Sequence, residues 1–198
     1  GLIFGFDKVD YFRLQDLKSK TKFSVVIPFR NEAEHLPRLL DSISKLNYPK
    51  GLFEVILVND DSEDNSVEII NNFITKRTSD CTQGVITILN NKRISNAPKK
   101  DAIIIAIKKA KYNWIITTDA DCTLPKNWLL SFNELIQKKN PKCIVAPVKY
   151  NKNDSFLNRF QILDILSLQG ATIGGFGIKT PFLCNGANFA YQKSCLQN

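Results

Sequence analysis

Phe23-Ser24-Val25-Val26-Ile27-Pro28-Phe29-Arg30-Asn31-Glu32 is the stretch on which the fold turns. Its first five residues form a compact, largely β-branched run stopped by Pro28, and they read as a strand buried on both faces. Glu32 to Lys45 follows, with Leu36, Leu39, Leu40 and Ile43 at helical spacing, and then the turn Tyr48-Pro49-Lys50-Gly51. The same alternation then recurs. Phe53 to Val58 is a second buried strand, ended by Asn59-Asp60-Asp61-Ser62, where Asp61 or Ser62 is placed to cap a helix that runs to Lys76. Val85 to Leu89 is a third strand, and Pro98 opens a helix whose inner face is Ala102, Ile103, Ala106 and Ala110. Trp114 to Thr118 is a fourth strand, and Pro125 opens a helix with Trp128, Leu129, Phe132 and Ile136 on one side. Cys143 to Ala146 is a fifth strand. Strands and helices alternating in this way predict an α/β chain with a doubly wound, parallel sheet and helices on both faces.

The flanks behave differently. Residues 1–21 carry no clear period and are expected to form an N-terminal arm, with the domain occupying 22–198. Ser155 to Gln169 repeats Phe156, Phe160, Leu163 and Leu166 at helical spacing. Covering the sheet is the simplest role for that stripe, with a membrane or a second subunit as the alternatives. Gly170, Gly174, Gly175 and Gly177 loosen the chain after it, and Asn185 to Tyr191 reads as a loop entering a strand.

Composition narrows the field further. The chain has 198 residues, 43% of them hydrophobic and 23% charged, which are globular proportions that exclude disorder as a whole-chain description. Lys plus Arg is 27 and Asp plus Glu is 19, a net charge of +8 that favours an anionic partner: a nucleotide, a phospholipid surface or nucleic acid. No apolar run is long enough to cross a membrane and no secretory signal opens the chain. The five Cys (Cys81, Cys122, Cys143, Cys184, Cys195) are widely spaced and the only His is His35, so a structural zinc site is rejected and reduced thiols are expected. There is no Met, and the chain stops at Asn198 inside a patterned segment, so a fragment of a longer protein is expected.

In an open parallel sheet, ligands sit beyond the carboxyl ends of the strands where strand order reverses. Strand order 3-2-1-4 would bring Pro28 to Glu32, Asn59 to Asp61 and Asp119 with Asp121 to one crevice. Asp119-Ala120-Asp121 is an extended segment whose two carboxylates point the same way. They suit a hard divalent cation, Mg²⁺ or Mn²⁺, that leaves positions for phosphate oxygens; a plain turn is the alternative. Asp60 is suited to accept from the N3–H of uracil or a ribose hydroxyl, with Ser62 capping the helix behind it. Lys99 stands at a helix N-terminus that attracts anions, or is simply a solvated lysine. His35 is expected at the surface, Cys122 as a small packed thiol, and Trp114 and Trp128 in the core.

Ser24 to Glu32, Val58-Asn59-Asp60-Asp61-Ser62-Glu63-Asp64 and Thr117-Thr118-Asp119-Ala120-Asp121, taken in order, resemble the three signatures of family 2 glycosyltransferases. The resemblance covers about residues 23–192. It implies the GT-A fold, a doubly wound, mostly parallel sheet with a Rossmann-like nucleotide-binding half. It also implies transfer of a sugar, with inversion, from a nucleotide diphosphate donor, commonly UDP-linked, to an acceptor hydroxyl. By position it places Pro28, Arg30 and Glu32 on the nucleotide and Asp60 on the base. Lys99 matches the lysine of the family's Lys-x-x-Ala-Leu segment. Asp119 falls near ribose and metal, and Asp121 on the metal itself, within the family's DxD motif. Asn185, Gly186, Ala187 and Asn188 resemble the loop bordering donor sugar and acceptor.

Two departures stand out. Asn59 replaces an acid often found there, and the family's carboxylate base is expected beyond Asn198; Asp164 does not match that motif. The implied partners are a nucleotide sugar and a saccharide or lipid-linked acceptor. Nucleic acid is not expected. The implied place is the cytoplasm or the cytoplasmic face of the inner membrane, reached through segments outside this chain. A nucleotide-sugar binding module without turnover is the rival reading.

Overall fold

The computed structural model describes residues 1–76, 85–149 and 156–196; Cys81 and the expected helix start at Ser155 lie outside the described residues. The chain divides into two compact units, one of Leu14–Ile144 with Phe189–Asn198 and one of Gly1–Arg13 with Val145–Asn188.

The larger unit is built on β1 (Phe23–Phe29), β2 (Phe53–Asn59), β3 (Ile86–Asn90) and β4 (Trp114–Thr118). They pair in parallel in the order β3-β2-β1-β4. β1 matches β2 along its whole length, Phe23 opposite Phe53 to Phe29 opposite Asn59, but matches β4 only from Phe23 opposite Trp114 to Val26 opposite Thr117. Pro28, which has no N–H to give, therefore sits where the β4 ladder has already ended. The chain winds outward through β1, β2 and β3, then crosses back to β4. Strand order reverses between β1 and β4, and there the two strands part.

Each crossover helix covers one face. α4 (Pro98–Lys109) lays Ala102 and Ala106 on Val26, Ile56, Val58 and Ile115 in one buried cluster with Tyr191. The small alanines let the helix approach the branched strand residues closely. The pleat turns Val25, Ile27, Val55, Leu57 and Ile116 to the opposite side, all fully or nearly fully buried. α2 (Leu36–Ser44) and α5 (Trp128–Lys139) bury Leu36, Leu39, Leu40, Leu129 and Phe132. α5 starts three residues after Pro125 rather than at it.

α3 (Ser66–Lys76) also begins later than expected, and neither Asp61 nor Ser62 caps it. Asp61 adopts φ 62°, a left-handed turn that carries the chain away before the helix can start. The Asp64 carboxylate accepts from Ser66 N–H at 3.0 Å instead. Ser62 Oγ is spent across the crevice, accepting from Asn31 N–H at 3.1 Å, and Asn31 Oδ1 accepts from Glu63 N–H at 2.8 Å. The loops after β1 and β2 are thereby stitched to each other.

The fifth strand does not pair with β4. β6 (Asn188–Gln192) lies between β4 and β5 (Cys143–Val145), giving β3-β2-β1-β4-β6-β5. Ala146 N–H meets Asn188 O and Gln192 N–H meets Lys142 O, so β6 runs antiparallel to β5. The sheet is mostly parallel with one reversed strand.

Residues 14–21 are held against α5 by side chains that read backbone. Glu134, fully buried, accepts from Gln15 N–H (2.8 and 3.0 Å) and Leu17 N–H (3.0 Å), with Asp16 between them at φ 55°. Burial pushes this carboxyl up, but the two N–H donors and the Lys138 ammonium outweigh it, and the net shift is downward.

The smaller unit contains α1 (Leu2–Phe6) and α6 (Phe156–Gly177). The apolar stripe of α6, expected to be covered, is exposed: Phe156 is 87%, Phe160 64%, Leu163 65% and Leu166 59% exposed. The helix carries apolar residues on its other sides too, such as Ile162, Ile165 and Leu168, so its pattern names no inner face.

Candidate functional site

Within the larger unit, a cleft of about 290 Å³ opens where β1 and β4 part. It is lined by Pro28, Phe29, Arg30 and Glu32 after β1, Asp60 after β2, Lys99 at the start of α4, and Asp119, Ala120 and Asp121 after β4. The seven positions assigned from the sequence to nucleotide and metal thus share one cavity. Asn185, Gly186, Ala187 and Asn188 belong to the other unit. There Ala187 N–H donates to Asn185 Oδ1 at 2.9 Å, and Asn188 Nδ2 donates to the Pro147 carbonyl at 2.8 Å.

Asp60, 8% exposed, is the most constrained group of the cleft. Its Oδ1 accepts from Arg93 Nε at 2.9 Å and Asn91 Nδ2 at 2.6 Å, and its Oδ2 from the Arg93 guanidinium at 3.0 Å. The same guanidinium reaches the Asp60 carbonyl at 3.1 Å. This fork, chiefly the Arg93 hydrogen bond, overcomes burial and holds the Asp60 carboxyl below its ordinary value. Asp60 is therefore a fixed anion at neutral pH. Beyond it a second hollow, lined by Asn59, Asp60, Asp61, Asn90, Asn91 and Arg93, shares Asp60 as a wall.

Arg93 and Asn91 were not among the residues singled out from the sequence. The signal was present: Asn90-Asn91-Lys92-Arg93 follows the third strand as directly as Asn59-Asp60-Asp61 follows the second. The loop bearing Arg93 is itself pinned by Asp101 in the first turn of α4. That carboxylate accepts from the N–H groups of Ile94 (2.8 Å) and Ser95 (2.7 Å) and from Ser95 Oγ (2.9 Å), which draw it below its usual range.

Lys99 reaches from α4 to Asp119, its ammonium 2.6 Å from Oδ1. Glu32 holds His35, whose Nδ1 is 2.8 Å from Oε2, so the single histidine partners a cleft residue rather than standing free on the surface. Arg30 lies 3.7 Å from Glu63. Arg38 of α2 donates to the Asp121 carbonyl at 2.9 Å and ties the Asp119–Asp121 loop to the helix packed beneath it. Burial raises the neighbouring Cys122 thiol, which keeps it protonated and unreactive at neutral pH, in keeping with a packed thiol.

The lining sets four carboxylates against two cations. Alone it would repel a diphosphate. All the donors are hard oxygens, and among the described residues no three His, Cys, Asp or Glu side chains form a group. Asp119 and Asp121 supply at most two protein ligands, and phosphate oxygens and water would have to supply the rest. That donor set fits Mg²⁺ or Mn²⁺ shared with a nucleotide and does not fit zinc.

Known proteins resemble this chain in sequence and fold. The undecaprenyl-phosphate 4-deoxy-4-formamido-L-arabinose transferase of Yersinia pestis (strain Pestoides F) is 30% identical over 161 residues, covering 79% of this chain and 46% of its own. The chain thus spans about half the length of the curated relatives it matches. A mannosyltransferase of Pyrobaculum calidifontis, solved with GDP-Man and Mn²⁺, has the same fold with a TM-score of 0.65. It is 18% identical, over 92% of this chain and 48% of that one. GalNAc-T7, solved with UDP, GalNAc and Mn²⁺, matches with a TM-score of 0.51 and 28% identity over 63% of this chain and 22% of that one. These neighbours are of the GT-A type, with the nucleotide-binding sheet that the sequence led us to expect. A profile of glycosyl transferase family 2 matches residues 24–197, 174 of the 198, and with the strand-end cleft it establishes that the chain belongs to that family.

Proposed function

We propose that this chain is the donor-binding part of an inverting glycosyltransferase that uses a UDP-sugar and a divalent cation held by Asp119 and Asp121. The single observation that carries the reading is the convergence of Arg30, Glu32, Asp60, Lys99, Asp119 and Asp121 on one cleft at the switch point of the sheet. Bound there, Mn²⁺ or Mg²⁺ supplies neutralisation of the diphosphate leaving group.

The chain's own residues supply the rest. Pro28 and Phe29 give the nucleoside an apolar ledge. Asp60, kept ionised by Arg93, is an acceptor for uracil N3–H; a carboxylate oxygen has two acceptor directions, and Oδ2 uses one on Arg93. Lys99 and Arg30 are the cations available to phosphate oxygens, and Lys99 must loosen its grip on Asp119 to serve.

The acceptor we favour is a polyprenyl phosphate, because the curated relatives are named as transferases for undecaprenyl phosphate. A phosphate monoester, with a second pKa of about 6, is already a nucleophilic anion at neutral pH and needs no carboxylate base. A hydroxyl acceptor would need one from beyond Asn198. In its absence the same cleft would only bind donor.

Isothermal titration of UDP with and without Mn²⁺ tests the core of the proposal. Binding indifferent to the metal, and unchanged in Asp121→Ala, refutes it. Transfer to polyprenyl phosphate but not to polyprenol, by the chain extended past Asn198, tests the acceptor.

A further inference from the structure

The smaller unit is built inside out. Among its described residues the buried ones are Gly5, Gly174 and Gly175, and all are glycines. α1 and α6 cross at Gly5, Gly174 and Gly177. A Cβ added to Gly5 would collide with the Gly174 carbonyl, one on Gly174 with the Leu2 carbonyl, and one on Gly177 with the Gly5 carbonyl. The backbones touch, and the large apolar side chains turn away from the contact. Apart from Ile94 and Ile104, every exposed large hydrophobic residue described in the chain belongs to this unit. Ile3 is 83%, Phe4 61% and Phe182 66% exposed, together with the α6 stripe.

In water, two helices hold together by burying their large apolar side chains against each other. Small residues at the crossing with large ones outward is the arrangement used where the surroundings are as apolar as the side chains. An exposed apolar surface of this extent requires a cover. The charges around it select which. The exposed cations Lys8, Arg13, Lys149, Arg159 and Lys179 outnumber the exposed acids Asp7, Asp10 and Asp164. The Lys8 ammonium lies over the Phe4 ring, 4.3 Å from its centre, so one of the most exposed aromatic groups already carries a cation. Aromatic and aliphatic groups rimmed by lysine and arginine match the boundary of an anionic bilayer, where the rings enter the acyl region and the cations stay at headgroup level. No described helix is long and apolar enough to cross a membrane, and Arg159 and Asp164 interrupt α6.

We infer that the α1–α6 unit is an interfacial lipid-binding module that lies on, and dips into, the surface of an anionic bilayer through Ile3, Phe4, Phe160, Leu163, Leu166 and Phe182. This inference stands apart from the nucleotide cleft, which lies in the other unit.

The test is flotation of the purified chain with vesicles of phosphatidylcholine alone and of phosphatidylcholine mixed equally with phosphatidylglycerol. The wild-type chain is expected to float with the mixed vesicles. A Phe160→Ser, Leu163→Ser, Leu166→Ser triple variant, altered only at exposed positions, should lose at least about tenfold in partition. A Lys8→Glu, Lys179→Glu variant should lose affinity for the mixed vesicles alone. UDP titration of the same samples reports separately on the other unit. The inference is overturned if the wild-type chain stays in the lipid-free fraction, or if the triple variant floats as well as wild type. Self-association without lipid that the triple variant abolishes, with no flotation, would also overturn it and make a second copy the cover.

Discussion

Replacing Arg93 by methionine keeps an unbranched stem and removes the three hydrogen bonds it gives to Asp60. What remains on the carboxylate is Asn91 at 2.6 Å. A fully buried charge that loses its partner costs about 3–5 kcal/mol, and an exposed pair is worth about 0–1 kcal/mol. Here the Asp60 side chain is 12% exposed but the Arg93 side chain 38%, so solvent screens one end of the pair. The expected loss at neutral pH is about 2 kcal/mol. Its pH dependence is the sharper signature. Asp60 is held below the ordinary aspartate value of 3.8 mainly by Arg93, so the contribution is complete above that value and vanishes as the pH falls through the lower folded-state value. Urea unfolding followed by the fluorescence of the buried Trp114 and Trp128 should show wild type and variant separated near pH 7 and converging in acid, below the ordinary aspartate value. Arg93→Lys, which keeps the charge but not the fork, should recover less than half of the difference. Equal midpoints at neutral pH, or a difference that persists undiminished in acid, would refute the assignment of Asp60 as a preorganised anion.

Lys99→Met removes the ammonium that sits on Asp119, so Mn²⁺ should bind the nucleotide-free chain more tightly while UDP binds more weakly; electron paramagnetic resonance of free Mn²⁺ and UDP titration check the two halves. Arg38→Ala releases the Asp121 carbonyl, and UDP affinity should fall several-fold with Mn²⁺ present yet stay unchanged without it; equal losses in both conditions would mean that Arg38 merely supports the fold. Glu134→Leu leaves the N–H groups of Gln15 and Leu17 without their acceptor inside the protein, and thermal melts should report a loss of about 3 kcal/mol.

The half of the sheet that makes the cleft was legible because its signals are local. Each strand is a short β-branched run, each crossover a single amphipathic helix, and right-handed winding leaves little freedom once the order 3-2-1-4 is chosen. The acidic and basic strand-end residues then fall together without further information. Where pairing is non-local, the strands were legible but their order was not. β5 follows α5 in sequence, and nothing in Cys143-Ile144-Val145 says that a strand more than forty residues later will insert between it and β4. The capping expectation at Ser62 failed because the helix starts only at Ser66, and the Ser62 hydroxyl accepts from Asn31 N–H across the cleft instead. Arg93 escaped because its partner, Asp60, lies in the loop after a different strand. The α6 stripe misled because a period of 3.6 identifies a face only when the remaining faces are polar, and here they are not.

The net charge of +8 also takes on a different meaning. From composition it favoured an anionic ligand, and a nucleotide was the first candidate. Yet the cleft is lined by more carboxylates than cations, and its two cations are partly neutralised, Lys99 by Asp119 and Arg30 by Glu63. The surplus of lysine and arginine is therefore not what would attract the donor; under the proposed function a divalent ion would supply that attraction locally. Raising salt should consequently weaken UDP binding only modestly, because a short-range contact between ion and diphosphate inside a partly enclosed cleft is screened far less than exposed charges. Vesicle binding by the α1–α6 unit, which relies on exposed lysines at its rim, should fall steeply over the same range. Measured on one preparation, the two salt slopes separate the two anionic partners. A steep slope for UDP would return the surplus charge to the nucleotide and remove the need for the metal.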